Sequence, residues 1–200
     1  MENKNSVTDL LGQTDIYLID QIMKDRYVPG CKLLDAGCGG GRNMHWFMQQ
    51  GFDMYGIDWS EAAILNLKQI YAHLPAEKLQ VSLVENLPFP SNYFDHIISS
   101  AVLHFARNEM HFKEMLGEML RVLKPGGTLF IRMTSDIGIE HKVKLLDNGN
   151  HRIPDGSMRF LLTRSILDSC MHEFGLTFLE PLKTVNVNDL RCMSTLVLQK

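Results

Sequence analysis

Short apolar runs alternate with helix-periodic stretches along most of this 200-residue chain. CKLLDAG, FDMYGID, LQVSLVE, FDHIISSAV and TLFIRM read as strands. GRNMHWFMQQG, SEAAILNLKQIYAHL and NEMHFKEMLGEMLRVL read as helices among them. That alternation points to right-handed βαβ units building a parallel sheet covered on both faces. FDHIISSAV is apolar enough to be buried on both sides. Local signals set the element ends. Gly51 stops the first of these helices. Ser60 caps the second, with Glu61 in its first turn where the dipole favours an acid. KPGG ends the third, because Pro125 cannot continue it and the glycines turn the chain. An earlier helix over residues 15–27 places Ile16, Ile19, Ile22 and Met23 on one stripe, and Met44, Phe47 and Met48 face inward on the next.

The last third departs from the alternation. Residues 134–160 are polar and irregular, too long for a simple connection, and predict a lid, a plain surface loop, or a short extra hairpin built on DNGN. Thr163 then caps TRSILDSCMHEFG. LTFLEPLKTVNV and RCMSTLVLQK follow as two strands so close in sequence that they form a hairpin, and one must run antiparallel to its neighbours. The expected organisation is a single domain over 1–200, with 1–30 as an N-terminal helical segment.

Composition narrows the class. Apolar residues make up 45% of the chain, which is globular and not disordered. A formal charge of −3 gives no general pull toward nucleic acid or an anionic membrane. No apolar run reaches the roughly 18 residues of a membrane span. The N-terminus, MENKNSVTDLLGQTD, lacks the apolar core of a signal peptide. The four cysteines (Cys31, Cys38, Cys170, Cys192) form no CxxC pair, which predicts reduced thiols in the cytoplasm and no metal site.

The chemistry concentrates in LLDAGCGGGRN, residues 33–43. Glycine loses more backbone freedom on folding than any other residue, so four within five positions need a cause. The first strand ends at Ala36, and ligands of open α/β sheets bind beyond the strands' carboxyl ends. A dinucleotide fingerprint, G-x-G-x-x-G, is met at Gly37 and Gly39 but fails at Arg42. Asp35 decides more: its carboxylate would repel a pyrophosphate and attract a cationic ligand.

With these motifs in place, the chain resembles the class I S-adenosylmethionine-dependent methyltransferases. LLDAGCGGGRN is similar to their glycine-rich first motif, and GIDWS to the end of their second strand. LPFPSNYFDHIISSAVLHF is similar to the surroundings of their fourth strand, and LRVLKPGGTLFI to their helix-to-fifth-strand junction. The four lie in the family's order over residues 31–133. The resemblance implies a three-layer Rossmann-like α/β fold, a seven-stranded sheet of order 3-2-1-4-5-7-6 with strand 7 antiparallel. It implies S-adenosyl-L-methionine as cofactor. Gly37, Cys38 and Gly39, following Ala36, would give its methionine part room, and Asp35 would help its ammonium end. Asp58 would accept both ribose hydroxyls, and Trp59 would pack on the adenine. Ser100 or Ala101 would offer backbone to the amino group. Many relatives carry an aspartate where this chain has Leu83, so the adenine amino contact falls to the backbone of Val84 or to Glu85.

Transfer from a sulfonium is an in-line displacement in which the protein chiefly aligns the acceptor, and a base is needed only for a protonated nucleophile. His104, just past strand four, is the candidate base or orienting group. Arg132 and Arg191, near the exit of strand 5 and the start of strand 7, are candidate acceptor-binding residues, with Arg159 and Phe160 at the end of the long excursion. The expected acceptor is a small molecule, bound by a monomer or homodimer with no nucleic-acid or membrane partner. Two other classes stay open: an NAD(P)-dependent oxidoreductase, against which Asp35 and Arg42 argue, and a non-catalytic S-adenosylmethionine-binding protein.

Overall fold

A computed structural model of the chain describes residues 6–146 and 149–200. The first five residues of the polar N-terminus, and Asp147 and Asn148 of the DNGN turn, lie outside the described residues. Five strands form the parallel part of the main sheet: β1 (Lys32–Ala36), β2 (Asp53–Asp58), β3 (Leu79–Val81), β4 (Phe94–Ser100) and β5 (Leu123–Ser135). A small sheet of β6 (Lys144–Leu145), β7 (His151–Arg152) and β8 (Met158–Arg159) follows, and then β9 (Thr177–Phe178), β10 (Lys183–Val187) and β11 (Arg191–Gln199) return to the main sheet. The helices are α1 (Val7–Leu11), α2 (Ile16–Ile22), α3 (His45–Gln49), α4 (Glu61–Ile70), α5 (Glu109–Val122) and α6 (Arg164–Glu173).

The main sheet runs β10-β11-β5-β4-β1-β2-β3. With β10 and β11 as sixth and seventh strands, this is the expected 3-2-1-4-5-7-6 order. β11 lies antiparallel to both β5 and β10, as the short connection requires.

Alternate residues of each central strand feed opposite faces, so the sheet has two cores. Leu34, Ile97 and Ile131 pack with Phe112, Met115, Leu116 and Met119 of α5 and Leu167 of α6. Leu33, Ile98 and Phe130 pack with Leu18 of α2, Phe47 of α3, and Ile64 and Leu67 of α4. Caps hold helix ends as expected: Ser60 Oγ accepts from the Ala63 N–H and Thr163 Oγ1 from the Ile166 N–H.

Several expectations need correction. In α2 the inward residues are Leu18 and Gln21; Ile16 and Met23 are exposed, because Asp15, Leu18 and Gln21 take the face against the sheet. α3 begins only at His45, since the preceding glycine turn occupies the residues before it, and Met48 is half-buried. The third strand stops at Val81, where the Ser82 N–H turns to the Asp58 carbonyl. α5 ends at Val122, and KPGG forms a bulge within β5: Phe94 pairs with Leu123 and His96 with Thr128, leaving Asp95 opposite four residues. A Cβ on Gly127 would meet the Asp95 and Lys124 carbonyl oxygens at 2.9 Å, so that bulge admits only glycine there. LTFLEPLKTVNV is two strands, broken around Pro181, that both pair with β11.

The excursion after β5 is more ordered than its polarity implied. Ile137, Ile139 and Ile153 are buried, and the Asp136 N–H reaches the Leu162 carbonyl. Gly138, Gly149 and Gly156 all have positive φ. Phe160, expected to face substrate, is 2% exposed and stacks on Phe112 in the core. Among the described residues, no helix is long and apolar enough to cross a membrane.

Candidate active site

A cavity of about 410 Å³ opens at the carboxyl ends of β1, β2 and β4. Gly37, Gly39, Asp58, Trp59, Val84, Glu85 and Ala101 line it, all residues singled out from the sequence. Asp35, Ala36, Cys38 and Ser100 stand behind that wall and do not line it.

The glycines are there for different reasons. Gly37 has φ 89°, its N–H donates to the Ile57 carbonyl, and a Cβ would overlap the Val102 side chain. Gly41, at φ 76°, is crowded by Leu67 in the same way. These two are demanded by packing. Gly39 has φ 50° and nothing within 4 Å of its Cβ direction, and it borders the cavity. There the sequence argument, room kept for a ligand, applies; Gly40 is equally open but does not border the cavity.

Asp58 ties the turn together. Its Oδ2 accepts the Gly39 N–H at 2.8 Å and its Oδ1 the Ser60 N–H at 2.9 Å. A carboxylate offers about four lone-pair sites, so acceptor capacity remains toward the cavity. Asp35 is the opposite case. It is 1% exposed and its Oδ2 has no hydrogen-bond partner. Burial, reinforced by Asp58 and opposed by Arg42, pushes its carboxyl up to about 7.

At the other end of the cavity, Glu85 Oε1 lies 2.8 Å from His111 Nε2, and the Arg107 N–H donates to His111 Nδ1 at 3.0 Å. Because Nδ1 accepts, Nε2 carries the proton and donates to Glu85. Burial raises the Glu85 carboxyl, but its own backbone N–H and His111 outweigh that and hold it low. Trp59 is 77% exposed at the rim. Ala101 has a positive φ of 64°, and its N–H is spent on the Arg132 carbonyl at 2.7 Å. The backbone group that an ammonium or amino donor could use there is the Ala101 carbonyl, which accepts.

Ala101 also borders a second cleft of about 250 Å³. The cleft gathers His104, Arg132, Arg159 and Arg191, although they come from four separate parts of the chain. The pairing of β11 with β5 explains why Arg132 and Arg191 share one cleft. His104 is 7% exposed and its Nδ1 has no partner. Burial first, then Arg159, Arg132 and Arg191, push its imidazole down to about 4, so it is neutral near pH 7.

Two contributors carried no local signal. Asp15, read only as a residue at the start of a helix, is 5% exposed, and its Oδ2 receives Arg132 Nη1 at 3.2 Å, Ser100 Oγ at 3.2 Å and Arg42 Nη2 at 3.4 Å. His111, one of several histidines without shared spacing, became part of the cavity wall only through α5 packing. Among the described residues, no group of three His, Cys, Asp or Glu side chains is arranged to hold a metal ion.

Residues 34–131 match the family model of the methyltransferase domain. Over that segment the chain is similar to the class I S-adenosylmethionine-dependent methyltransferases. It is 30% identical to the ubiquinone biosynthesis O-methyltransferase of Pseudomonas fluorescens SBW25 over 136 residues, 61% of this chain and 56% of the relative. The chain spans about half the length of the first curated relatives it matches. Its fold is that of the Burkholderia thailandensis 1,6-didemethyltoxoflavin-N1-methyltransferase, whose crystal structure holds S-adenosylhomocysteine (TM-score 0.69, 17% identity, 96% of this chain and 80% of the other). The cyclase SpnF shares the fold as closely (TM-score 0.67, 18% identity, 92% and 80%). The methyltransferase domain therefore places the cavity within a known scaffold, while the scaffold alone leaves the reaction open.

Proposed function

We propose that this protein moves a methyl group from S-adenosylmethionine to a small-molecule acceptor, releasing S-adenosylhomocysteine. The observation that carries this reading is the pairing, behind one cavity, of an unpartnered buried carboxylate at Asp35 with open space over Gly39. The orphaned oxygen lies behind the cavity wall, where a ligand's ammonium would favour its charge, and the space over Gly39 fits a ligand that approaches backbone. Asp58 would hold the ribose, and Val84, Glu85 and Trp59 the adenine. The cofactor supplies an already activated methyl group. The chain's own part is then to position the acceptor and exclude water.

The acceptor side is the second cleft, which meets the cofactor cavity at Ala101. His104, neutral near pH 7, acts there as an orienting group or a proton acceptor. Residues 153–159 form one wall of that cleft, which gives the excursion a role as cover over the acceptor. Cys31, Cys38, Cys170 and Cys192 are unpaired, in keeping with a cytoplasmic setting.

A thermal-shift panel of S-adenosylmethionine, S-adenosylhomocysteine, NAD and NADP tests the cofactor class. Stabilisation by the first two alone is expected. Stabilisation by NAD or NADP instead would favour an oxidoreductase. Formation of S-adenosylhomocysteine with an acceptor library then separates an enzyme from a binding protein.

A further inference from the structure

The second cleft has an excess of positive charge that the protein does not satisfy. Three guanidinium groups, Arg132, Arg159 and Arg191, line it against a single carboxylate, Asp155. Arg132 is compensated from behind by Asp15 and lies over the Tyr17 ring at 5.0 Å. The other two make no ion pair, and Asp155 attracts both only from longer range. Among the described residues, no carboxylate oxygen lies within the 4 Å of an ion pair from either Arg159 or Arg191; Arg159 donates only to the Met158 carbonyl and lies 5.2 Å over the Phe105 ring. Asp155 is itself engaged, accepting the N–H and the hydroxyl of Ser157 at 2.9 and 2.7 Å.

We infer that the methyl acceptor carries a carboxylate, held in this cleft by Arg159 and Arg191. Like charges gathered on one wall repel one another, and a bound anion relieves that repulsion. Guanidinium is weakly hydrated and presents paired N–H donors that match the two oxygens of a planar carboxylate. Position supports the assignment, because Phe105, under Arg159, also borders the cofactor cavity. An acid anchored there has the rest of its body beside Ala101, where the two spaces join. The low basicity of His104 is consistent with this field: after burial, the same three arginines are what disfavour its proton. His104 therefore adds no further charge, and the anion is met by arginine alone.

This inference rests on the proposed transfer activity for the word acceptor, but not for the binding itself. The test is therefore direct binding of probes, followed by nuclear magnetic resonance with and without saturating S-adenosylhomocysteine. The probes are benzoate, salicylate and 4-hydroxybenzoate, each beside its primary amide, with inorganic phosphate as a tetrahedral anion. The expected result is binding of at least one acid, with its amide weaker by roughly tenfold or more, the worth of one charge-assisted hydrogen bond. Arg159→Gln and Arg191→Gln should each remove that preference, Arg191→Lys should keep only part of it, and Arg164→Gln, on α6 and not lining the cleft, should leave it intact. Thermal melting of each variant separates lost binding from lost folding. Equal binding of acids and amides, no binding by any acid, phosphate binding without carboxylate binding, or insensitivity to both glutamine substitutions would overturn the inference. Failure of S-adenosylhomocysteine to bind, with the acid preference intact, would sink the transferase reading and leave the carboxylate site standing.

Discussion

Asp15 and Arg132, 117 residues apart in sequence, meet at 3.2 Å between Oδ2 and Nη1, where the N-terminal segment crosses the exit of β5. The same Asp15 oxygen also receives Arg42 and Ser100, so one carboxylate joins the N-terminal helices, the glycine turn, β4 and β5. Its other oxygen caps α2 by accepting the Tyr17 N–H.

Asp15→Ala should therefore be among the most destabilising single changes outside the core. Removing one partner of a buried ion pair costs about 3–5 kcal/mol, and a lost N-cap about 1 kcal/mol. Arg132 is about one-fifth exposed and Arg42 more so, which lowers the expected total to about 3 kcal/mol. Urea denaturation measures it. Asp15→Asn should cost less, because the cap survives. A change under 1 kcal/mol for Asp15→Ala would mean that the N-terminal segment is not coupled to the sheet.

Asp58→Ala should lose cofactor affinity and stability together. The ribose role alone would predict an unchanged fold, but the carboxylate also holds the Gly39 and Ser60 N–H groups. Each charge-assisted bond is worth about 1.5–3 kcal/mol. Calorimetry with S-adenosylhomocysteine and thermal melting on the same variant should both move. A melting temperature at the native value, with weakened binding, would show that the loop holds its shape without Asp58.

These two residues mark where the sequence was legible. The alternation of strands and helices, the hairpin and the glycine turn follow from local signals, namely apolar period, caps and the clustered glycines, whereas the sheet order is implied only by the family resemblance. Asp58 is singled out by the resemblance of GIDWS to the family's second strand, and the structure sets it in the cavity wall. Asp15 was missed because its partners lie 27, 85 and 117 residues away, and nothing local separates it from any helix-capping acid. Arg132 and Arg191 are legible as neighbours, because antiparallel strand 7 starts at the edge where strand 5 ends, but the approach of Arg159 depends on how β8 comes to that edge. Phe160 was misplaced because an aromatic at the end of a polar segment looks exposed, whereas here it anchors that segment to α5.

Asp35 should give a pH signature. Its folded-state carboxyl is raised to about 7 from an ordinary 3.8, so the folded protein holds this proton more tightly than the unfolded chain does. Such a group favours folding least at high pH. Stability should fall as pH rises from about 4 to about 7, then level off. A gap of about three pH units corresponds to a loss on the order of 4 kcal/mol. Asp35→Asn abolishes that slope and should be more stable than the native protein at pH 8, but not at pH 4. If Asp35 meets the cofactor's ammonium, S-adenosylhomocysteine affinity in the native protein should rise between pH 6 and 8, with a proton released on binding. In Asp35→Asn it should be flat. Calorimetry in buffers of different ionisation enthalpy reads the proton directly, and its absence would place the ammonium elsewhere.

Gly37 and Gly39 should respond differently to the same substitution. Both have positive φ, so an alanine at either is strained by about 1–3 kcal/mol. At Gly37 the new methyl also collides with Val102, a buttress that packs against the core, so Gly37→Ala should destabilise well beyond the backbone term. Adding Val102→Ala removes the obstacle and should recover part of the loss. At Gly39 no protein atom stands in the way, so Gly39→Ala should cost only the backbone strain. Its methyl would instead occupy the mouth of the cavity, and S-adenosylhomocysteine binding should weaken at nearly native stability. Thermal melting and calorimetry on the two single variants and the Gly37→Ala/Val102→Ala pair resolve the cases. Equal stability losses at both glycines, or no rescue by Val102→Ala, would mean that the turn is set by backbone conformation alone. Native affinity in Gly39→Ala would mean that no ligand approaches the chain at that point.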